Sequence, residues 1–124
     1  MTKKIESFED LLVWQKGMKI VRQVYLITRD GKLSKDFGMR DQLRGAALSI
    51  PSNIAEGFER ASRKEYLNFL NIAKGSAGEV RSLLRVAVEI GYLQEPQYCE
   101  LQEMILELSR YLSNQMKSLK KLPV

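Results

Sequence analysis

Residues 49–60 read SIPSNIAEGFER, a stretch that gathers proline, glycine and polar side chains in a chain whose pattern is otherwise helical and amphipathic. A proline inside a helix removes one backbone hydrogen bond and clashes with the preceding turn. Because Pro51 directly follows the apolar Ile50, we predict one helix through this stretch that is kinked near Pro51. The same register turns Asn53 toward the interior of the fold, where its amide needs a hydrogen-bond partner.

The side chains of this stretch form a predicted structural polar cluster, made of Ser49, Pro51, Ser52, Asn53, Glu56 and Gly57. Two interpretations of this cluster stay open. It either pins the shape of a kinked helix, or it binds a ligand or fixes the register of an oligomer, as a buried asparagine does in coiled coils. Catalysis is disfavoured, because one carboxylate without a histidine, a second acid or a set of metal ligands is an incomplete site.

Apolar residues recur at helical spacing on both sides of this stretch. The predicted helices cover about residues 8–29, 36–58, 63–90 and 96–120. Ser7 with Asp10, and Ser62 with Glu65, have the spacing of capping boxes, and Gly31 is a predicted helix terminator. Four helices joined by short turns predict an all-α, up-down-up-down four-helix bundle, with residues 1–124 forming one domain.

The first predicted helix carries more apolar surface than a small bundle needs. Its second apolar row consists of Val13, Ile20, Val24 and Ile27. Self-association would bury such a surplus. We therefore predict a homo-oligomer, a closed ring or a dimer, with this row as its interface.

Several classes of function are disfavoured by what the sequence lacks. There is no histidine among the 124 residues, which removes the commonest general base and metal ligand. The single cysteine, Cys99, therefore has no histidine to activate it. We predict no enzymatic activity, no cofactor and no metal. Without a long apolar run or a secretory signal pattern, we expect a cytoplasmic protein with no membrane contact.

The net charge of +5 is distributed unevenly. Most charges follow the helix dipole, with acids early and bases late, but Arg60, Arg63 and Lys64 crowd the start of the third predicted helix. In an up-down bundle this start lies at the same end as both termini. That end would collect Lys3, Lys4, Arg60, Arg63, Lys64, Lys117, Lys120 and Lys121. Such an end predicts phosphate contacts with little sequence preference, although a basic rim that only aids solubility is the alternative.

Three segments resemble the bacterial 23S rRNA intervening-sequence protein family: FEDLLVWQKGMKIV, DQLRGAALSIPSNIAEGFERASRKEYLNFLNIAKGSAGEV and IGYL. The resemblance covers about residues 8–119. It implies a four-helix bundle, a ring-shaped homopentamer and no established catalytic residues. It also implies a relation to the accessory variability determinant proteins of diversity-generating retroelements, which bind nucleic acid and assist a reverse transcriptase.

Together these expectations favour a non-enzymatic, homo-oligomeric protein that binds RNA or DNA and assists an RNA or reverse-transcriptase complex. The alternative is a structural or protein-interaction bundle with no direct nucleic-acid contact.

Overall fold

The computed structural model describes residues 4–123 of the chain. A short 3-10 turn at Phe8–Asp10 precedes five helices: α1 Leu12–Arg29, α2 Gly31–Lys35, α3 Phe37–Glu59, α4 Arg63–Glu89 and α5 Glu95–Lys121. No strand occurs among the described residues. The all-α class is therefore confirmed, with one short helix, α2, that was not predicted.

The four long helices pack as a bundle in which α3 contacts α1 and α4, and α5 contacts α4 and α1. Arg44 near the start of α3 donates from Nε to Thr28 Oγ1 near the end of α1, at 2.8 Å. Ser49 in the middle of α3 bonds to Ser76 in the middle of α4. These polar contacts join α3 to both of its long neighbours.

The core lies between the four long helices and is almost entirely aliphatic. Val13, Ile20 and Val24 are 0–2% exposed within the single chain. They cannot also face a second copy, so their assignment to an oligomer interface is corrected, and they are core residues. Ile27, the fourth member of that row, is half-buried against the core. The reason is that α1 packs against both α3 and α5, so that this row is covered within the single chain.

The start of the first helix differs from the prediction. The Asp10 carboxylate accepts hydrogen bonds from the backbone N–H groups of Glu6 at 3.0 Å and Ser7 at 3.2 Å. These bonds stabilise the separate 3-10 turn, and Leu11 has an extended backbone before α1 begins. The predicted cap therefore exists at the predicted residues, but it caps a turn rather than the long helix.

The junction between α1 and α3 contains the short helix that the sequence pattern did not reveal. Gly31, expected to end the first helix, has φ +74° and is instead the first residue of α2. Asp36 then accepts a hydrogen bond from the Met39 N–H at 3.1 Å and caps α3. At the far end of α4 the Tyr92 hydroxyl donates to the same Asp36 carboxylate at 3.0 Å, which ties the α4–α5 turn to the start of α3.

Candidate nucleic-acid interface

The start of α4 is capped, and its nearest arginine is already engaged. Ser62 Oγ accepts a hydrogen bond from the Glu65 N–H at 3.1 Å, as the capping pattern predicts. The Arg60 guanidinium donates to Glu56 at 2.9 Å and contacts Glu65 at 3.5 Å. It also lies 5.0 Å from the Phe69 ring centroid. Two carboxylates already hold the charge of Arg60, so it is a weaker phosphate ligand than the sequence suggests.

Arg63 joins the start of α4 to the end of the described chain. Its guanidinium donates to the carbonyl oxygens of Leu122 at 2.9 Å and Pro123 at 3.1 Å. These bonds bring the start of α4 and the end of α5 together. They also occupy part of the Arg63 donor set, so this residue positions the C-terminal residues as well as carrying charge.

Five of the remaining predicted cations are exposed and form no salt bridge within the described part of the chain: Lys4, Lys64, Lys117, Lys120 and Lys121. Lys3 lies outside the described residues. Among these, Lys64 and Lys120 line one common hollow on the surface.

The predicted polar cluster does not converge on one point. Ser49 bonds to Ser76 of α4, whereas the Asn53 side-chain amide donates to the Ser49 carbonyl in its own helix at 2.7 Å. Asn53 is half-buried, so the prediction that it points into the interior is only partly met. Ser52 and Glu56 are exposed. The six residues therefore do not enclose a pocket for a ligand.

Pro51 and Gly57 serve packing instead. Pro51 is buried inside an uninterrupted α3, where its ring faces Gly17 of α1. The kink predicted at Pro51 stays a prediction. A Cβ on Gly57 would lie 2.7 Å from Phe69 Cβ and 3.0 Å from Tyr66 Cδ1. Gly57 is thus required for the close approach of α3 to α4.

Two open hollows between α4 and α5 were not predicted. The first, of about 590 Å³, is lined by Lys64, Glu65, Leu67, Asn68, Asn71, Met116 and Lys120. The second, of about 410 Å³, is lined by Lys74, Leu106, Ser109, Arg110, Ser113, Asn114 and Lys117. We call these residues the α4–α5 groove. Its lining contains five cations and a single acid, Glu65, which itself contacts Arg60.

The sequence did contain a signal for this groove. Lys64, Asn68, Asn71 and Lys74 follow one another at helical spacing and therefore share one face of α4. This row was not predicted, because the prediction considered the charges at the helix end and two of the four residues are uncharged amides. Only the packing of α5 beside α4 shows that the row borders a groove.

A second cationic surface lies between α1 and α3. A hollow of about 350 Å³ is lined by Arg22, Tyr25, Leu26, Arg29 and Arg44. The Arg44 guanidinium lies 4.5 Å from the Tyr25 ring centroid, and Leu26 is 47% exposed. This surface combines arginine, tyrosine and leucine, and it differs in composition from the lysine and asparagine lining of the α4–α5 groove.

The shifted pKa values describe packing rather than catalysis. Burial raises the pKa of Tyr66, whose hydroxyl accepts a hydrogen bond from Gln115 at 2.9 Å. The hydrogen bond from Lys16 at 2.6 Å lowers the pKa of the Glu107 carboxyl. Neither group lies beside a nucleophile or a second perturbed carboxylate, so no acid–base pair is formed by these groups.

Two further features bear on the class of protein. Among residues 4–123, no group of three or more histidine, cysteine, aspartate or glutamate side chains could hold a metal ion. None of the helices in that range is both long and apolar enough to cross a bilayer.

The fold and surface define a small helical bundle with an exposed, cation-lined groove. Residues 9–114 match the sequence profile of the 23S rRNA-intervening sequence protein family, and the chain belongs to that family. A crystal structure from Bacteroides thetaiotaomicron, of a protein with unknown function from the S23 ribosomal protein family, is similar. It is 29% identical, with a TM-score of 0.78 over 86% of this chain and 96% of that one. No curated protein matches the chain.

Proposed function

We propose that this protein is a non-enzymatic, cytoplasmic nucleic-acid-binding accessory protein that contacts phosphate backbones. The observation that carries the proposal is a set of exposed cations without salt bridges to the described residues: Lys64, Lys74, Arg110, Lys117 and Lys120. Lysine and arginine that neutralise phosphates release counterions, which supplies most of the affinity of sequence-independent binding. The family name supports an RNA context. The proposed setting is an RNA complex or, from the resemblance stated above, a reverse-transcriptase complex.

The arrangement of the helices supports this function. We infer an up-down-up-down order for α1, α3, α4 and α5, since the contacts between neighbouring helices pair late residues with early ones. In that order the start of α4 and the end of α5 share one end. The contact of Arg63 with the Leu122 carbonyl supports the same arrangement. The basic end and the α4–α5 groove then form one continuous surface.

We also propose a homo-oligomer, with a pentamer favoured by the family resemblance. An oligomer interface cannot include the valines of α1 that are buried within the single chain. Leu12 and Leu26, which are 51% and 47% exposed, are better candidates for α1. Native mass spectrometry at micromolar concentration tests this point, because a clean monomer would contradict it.

The proposed function is tested by nucleic-acid binding as a function of salt. If five cations contact phosphates, affinity falls roughly 500-fold between about 50 and 200 mM salt. Reversing the charge with Lys64→Glu and Lys120→Glu should abolish measurable binding. The matched control reverses Lys32 and Lys35, two exposed lysines of α2 outside the groove. The proposal would be contradicted if the affinity did not depend on salt. It would also be contradicted if the groove variant bound nucleic acid as tightly as the control variant does.

A second candidate function is a protein-interaction bundle without nucleic-acid contact. The surface of Arg22, Tyr25, Leu26, Arg29 and Arg44 favours it. Arginine and tyrosine are enriched at protein interfaces, whereas lysine is depleted. Arg22→Ala with Leu26→Ala should leave nucleic-acid binding unchanged and remove a protein partner, as measured by co-purification from the native host.

A further inference from the structure

The α4–α5 groove carries two rows of polar side chains with the same spacing. On α4 the row is Lys64, Asn68, Asn71 and Lys74, separated by four, three and three residues. On α5 the row is Arg110, Asn114, Lys117 and Lys120, again separated by four, three and three residues. Residues at these spacings lie on one face of a helix. Each row therefore borders the groove with cations at both of its ends; two amides lie between them on α4, and one amide and one lysine on α5.

All eight of these side chains are unused by the fold. Each is exposed, and none forms a side-chain hydrogen bond or salt bridge with another described residue. Some polar side chains elsewhere on α4 and α5 are paired: Arg85 contacts Glu89 and Glu95, and Gln115 bonds to Tyr66. The side chains of the groove are thus available to donate hydrogen bonds to a partner.

The chemistry of the lining favours a double helix over a single strand. Non-specific sites for single strands combine cations with aromatic side chains on which bases stack. No aromatic residue lines either hollow of the groove. The cations at the ends of each row suit phosphates, which a duplex presents on its outside without exposing its bases.

The amides at the centre favour RNA over DNA. Double-stranded RNA is recognised mainly through phosphates and 2′-hydroxyl groups across its shallow minor groove. An asparagine side chain both donates and accepts hydrogen bonds, as a 2′-hydroxyl does. DNA offers no group at that position to Asn68 and Asn71.

We propose that the α4–α5 groove binds the sugar–phosphate backbone of double-stranded RNA, with Lys64, Lys74 and the α5 cations on phosphates and Asn68 and Asn71 on 2′-hydroxyls. This inference rests on the proposed function and narrows its ligand. The lining residues of α5 run from residue 106 to residue 120, which is about 21 Å at the rise of an α-helix.

The test compares three probes with the full-length protein: an RNA duplex, a DNA duplex of the same sequence and the corresponding single-stranded RNA. Fluorescence anisotropy gives the affinity of each probe over a salt series. We expect the RNA duplex to bind about tenfold more tightly than either other probe. Equal affinity for all three probes would overturn the inference but leave the proposed function standing.

Two pairs of substitutions separate the roles of amides and cations. Asn68→Ala with Asn71→Ala should lower RNA-duplex affinity about tenfold and leave DNA-duplex affinity unchanged. Lys64→Ala with Lys120→Ala should weaken both duplexes and reduce the salt slope by about two. Lys32→Ala with Lys35→Ala, which removes equal charge outside the groove, should change neither the RNA-duplex affinity nor the DNA-duplex affinity.

The outcomes are distinguishable. Absence of binding to every probe at low salt overturns the proposed function and this inference with it. If the groove variants bind as tightly as the unmodified protein, the groove is not the binding site, but the proposed function stands. A loss of RNA and DNA affinity to the same extent in the asparagine variant overturns the 2′-hydroxyl contacts. Because all four substituted groove positions are exposed on helices, circular dichroism should show an unchanged fold.

Discussion

The two sides of α4 meet their neighbours in different ways. Toward α3 the contact is the most extensive between any two helices, and small residues such as Gly57 and Ala73 allow the backbones to approach closely. Toward α5 the contact leaves an open groove lined by lysines and amides. Beneath this groove the buried leucines of α5 still pack in the common core, and polar bonds such as that between Gln115 and Tyr66 cross this side.

The two faces of α4 differ in composition and in burial. The buried row of α4 is aliphatic and small: Leu70, Ala73, Ala77, Val80, Leu84 and Ala87. The row that begins at Lys64 is polar and exposed. Burial of apolar area supplies the stability of the fold, so the polar row is free to vary without unfolding the protein. The α3–α4 contact is therefore expected to respond to substitution through stability, and the α4–α5 groove through binding.

The largest loss of stability is expected from truncating a side chain in the buried row of α4. Leu70 is 0% exposed, and Leu70→Ala should lower the free energy of unfolding by about 2–5 kcal/mol through lost transfer energy and a cavity. The next residue, Asn71, is exposed in the groove, and Asn71→Ala should change stability by less than about 0.5 kcal/mol. Urea denaturation of both variants measures the difference. Equal losses would show that the two sides of α4 are not distinct in energy.

Alanine substitutions at two glycines are expected to change the stability of the protein in opposite directions. Gly57→Ala forces a Cβ to within 2.7 Å of Phe69 Cβ and should destabilise the protein by about 1–3 kcal/mol. Gly75 in α4 has no atom within 4 Å of an added Cβ. Gly75→Ala should therefore stabilise the protein by about 0.5–1 kcal/mol through helix propensity. Thermal unfolding checks both signs, and a stabilised Gly57→Ala variant would contradict the close approach of α3 and α4.

A smaller effect is expected from the hydrogen bond that crosses the open side. Tyr66→Phe removes the acceptor of the Gln115 amide and should cost about 0.5–1.5 kcal/mol. The half-buried ring still packs against the core, so its apolar contribution is retained. A double-mutant cycle with Gln115→Ala isolates the bond. A coupling energy near zero would show that the bond does not help to hold α4 beside α5.

Much of the fold could be predicted from the sequence, because helical periodicity is a local property. The bounds of α4 and α5 differ from the predicted ranges by one residue or less at each end. The caps at Ser62 and Asp36 depend on side chains only three residues from their backbone partners. The short α2 was missed since Gly31 has the same positive φ that a simple terminator would have.

The site was harder to predict, because it depends on which helices lie side by side. The oligomer row failed at Val13, Ile20 and Val24, since one apolar row cannot show how many neighbours will cover its helix. Arg60 looked like a phosphate ligand until its contacts with two glutamates were known. Charge at a helix end is visible in a sequence, whereas ion pairing and a groove between two helices are properties of packing.

The smallest effect on stability is expected on the other side of α5, where an ion pair joins α5 to α1. Lys16 Nζ lies 2.6 Å from Glu107 Oε1 and 4.7 Å from the Tyr111 ring centroid. The hydrogen bond from Lys16 lowers the pKa of Glu107 in the folded protein. A lowered pKa contributes stability above the ordinary glutamate value, and this stability is lost as the pH falls through the folded value.

Lys16→Met should therefore raise the pKa of Glu107 toward its ordinary value and make stability less sensitive to pH between about 5 and 3. Carboxyl-carbon NMR titration of Glu107 gives the pKa directly, and urea denaturation over the same pH range gives the linked stability. Lys35→Met, which removes an exposed lysine of α2, is the control and should change neither quantity. An unchanged Glu107 pKa in the Lys16→Met variant would mean that solvent screens the pair fully. In that case the ion pair would not help to hold α5 beside α1.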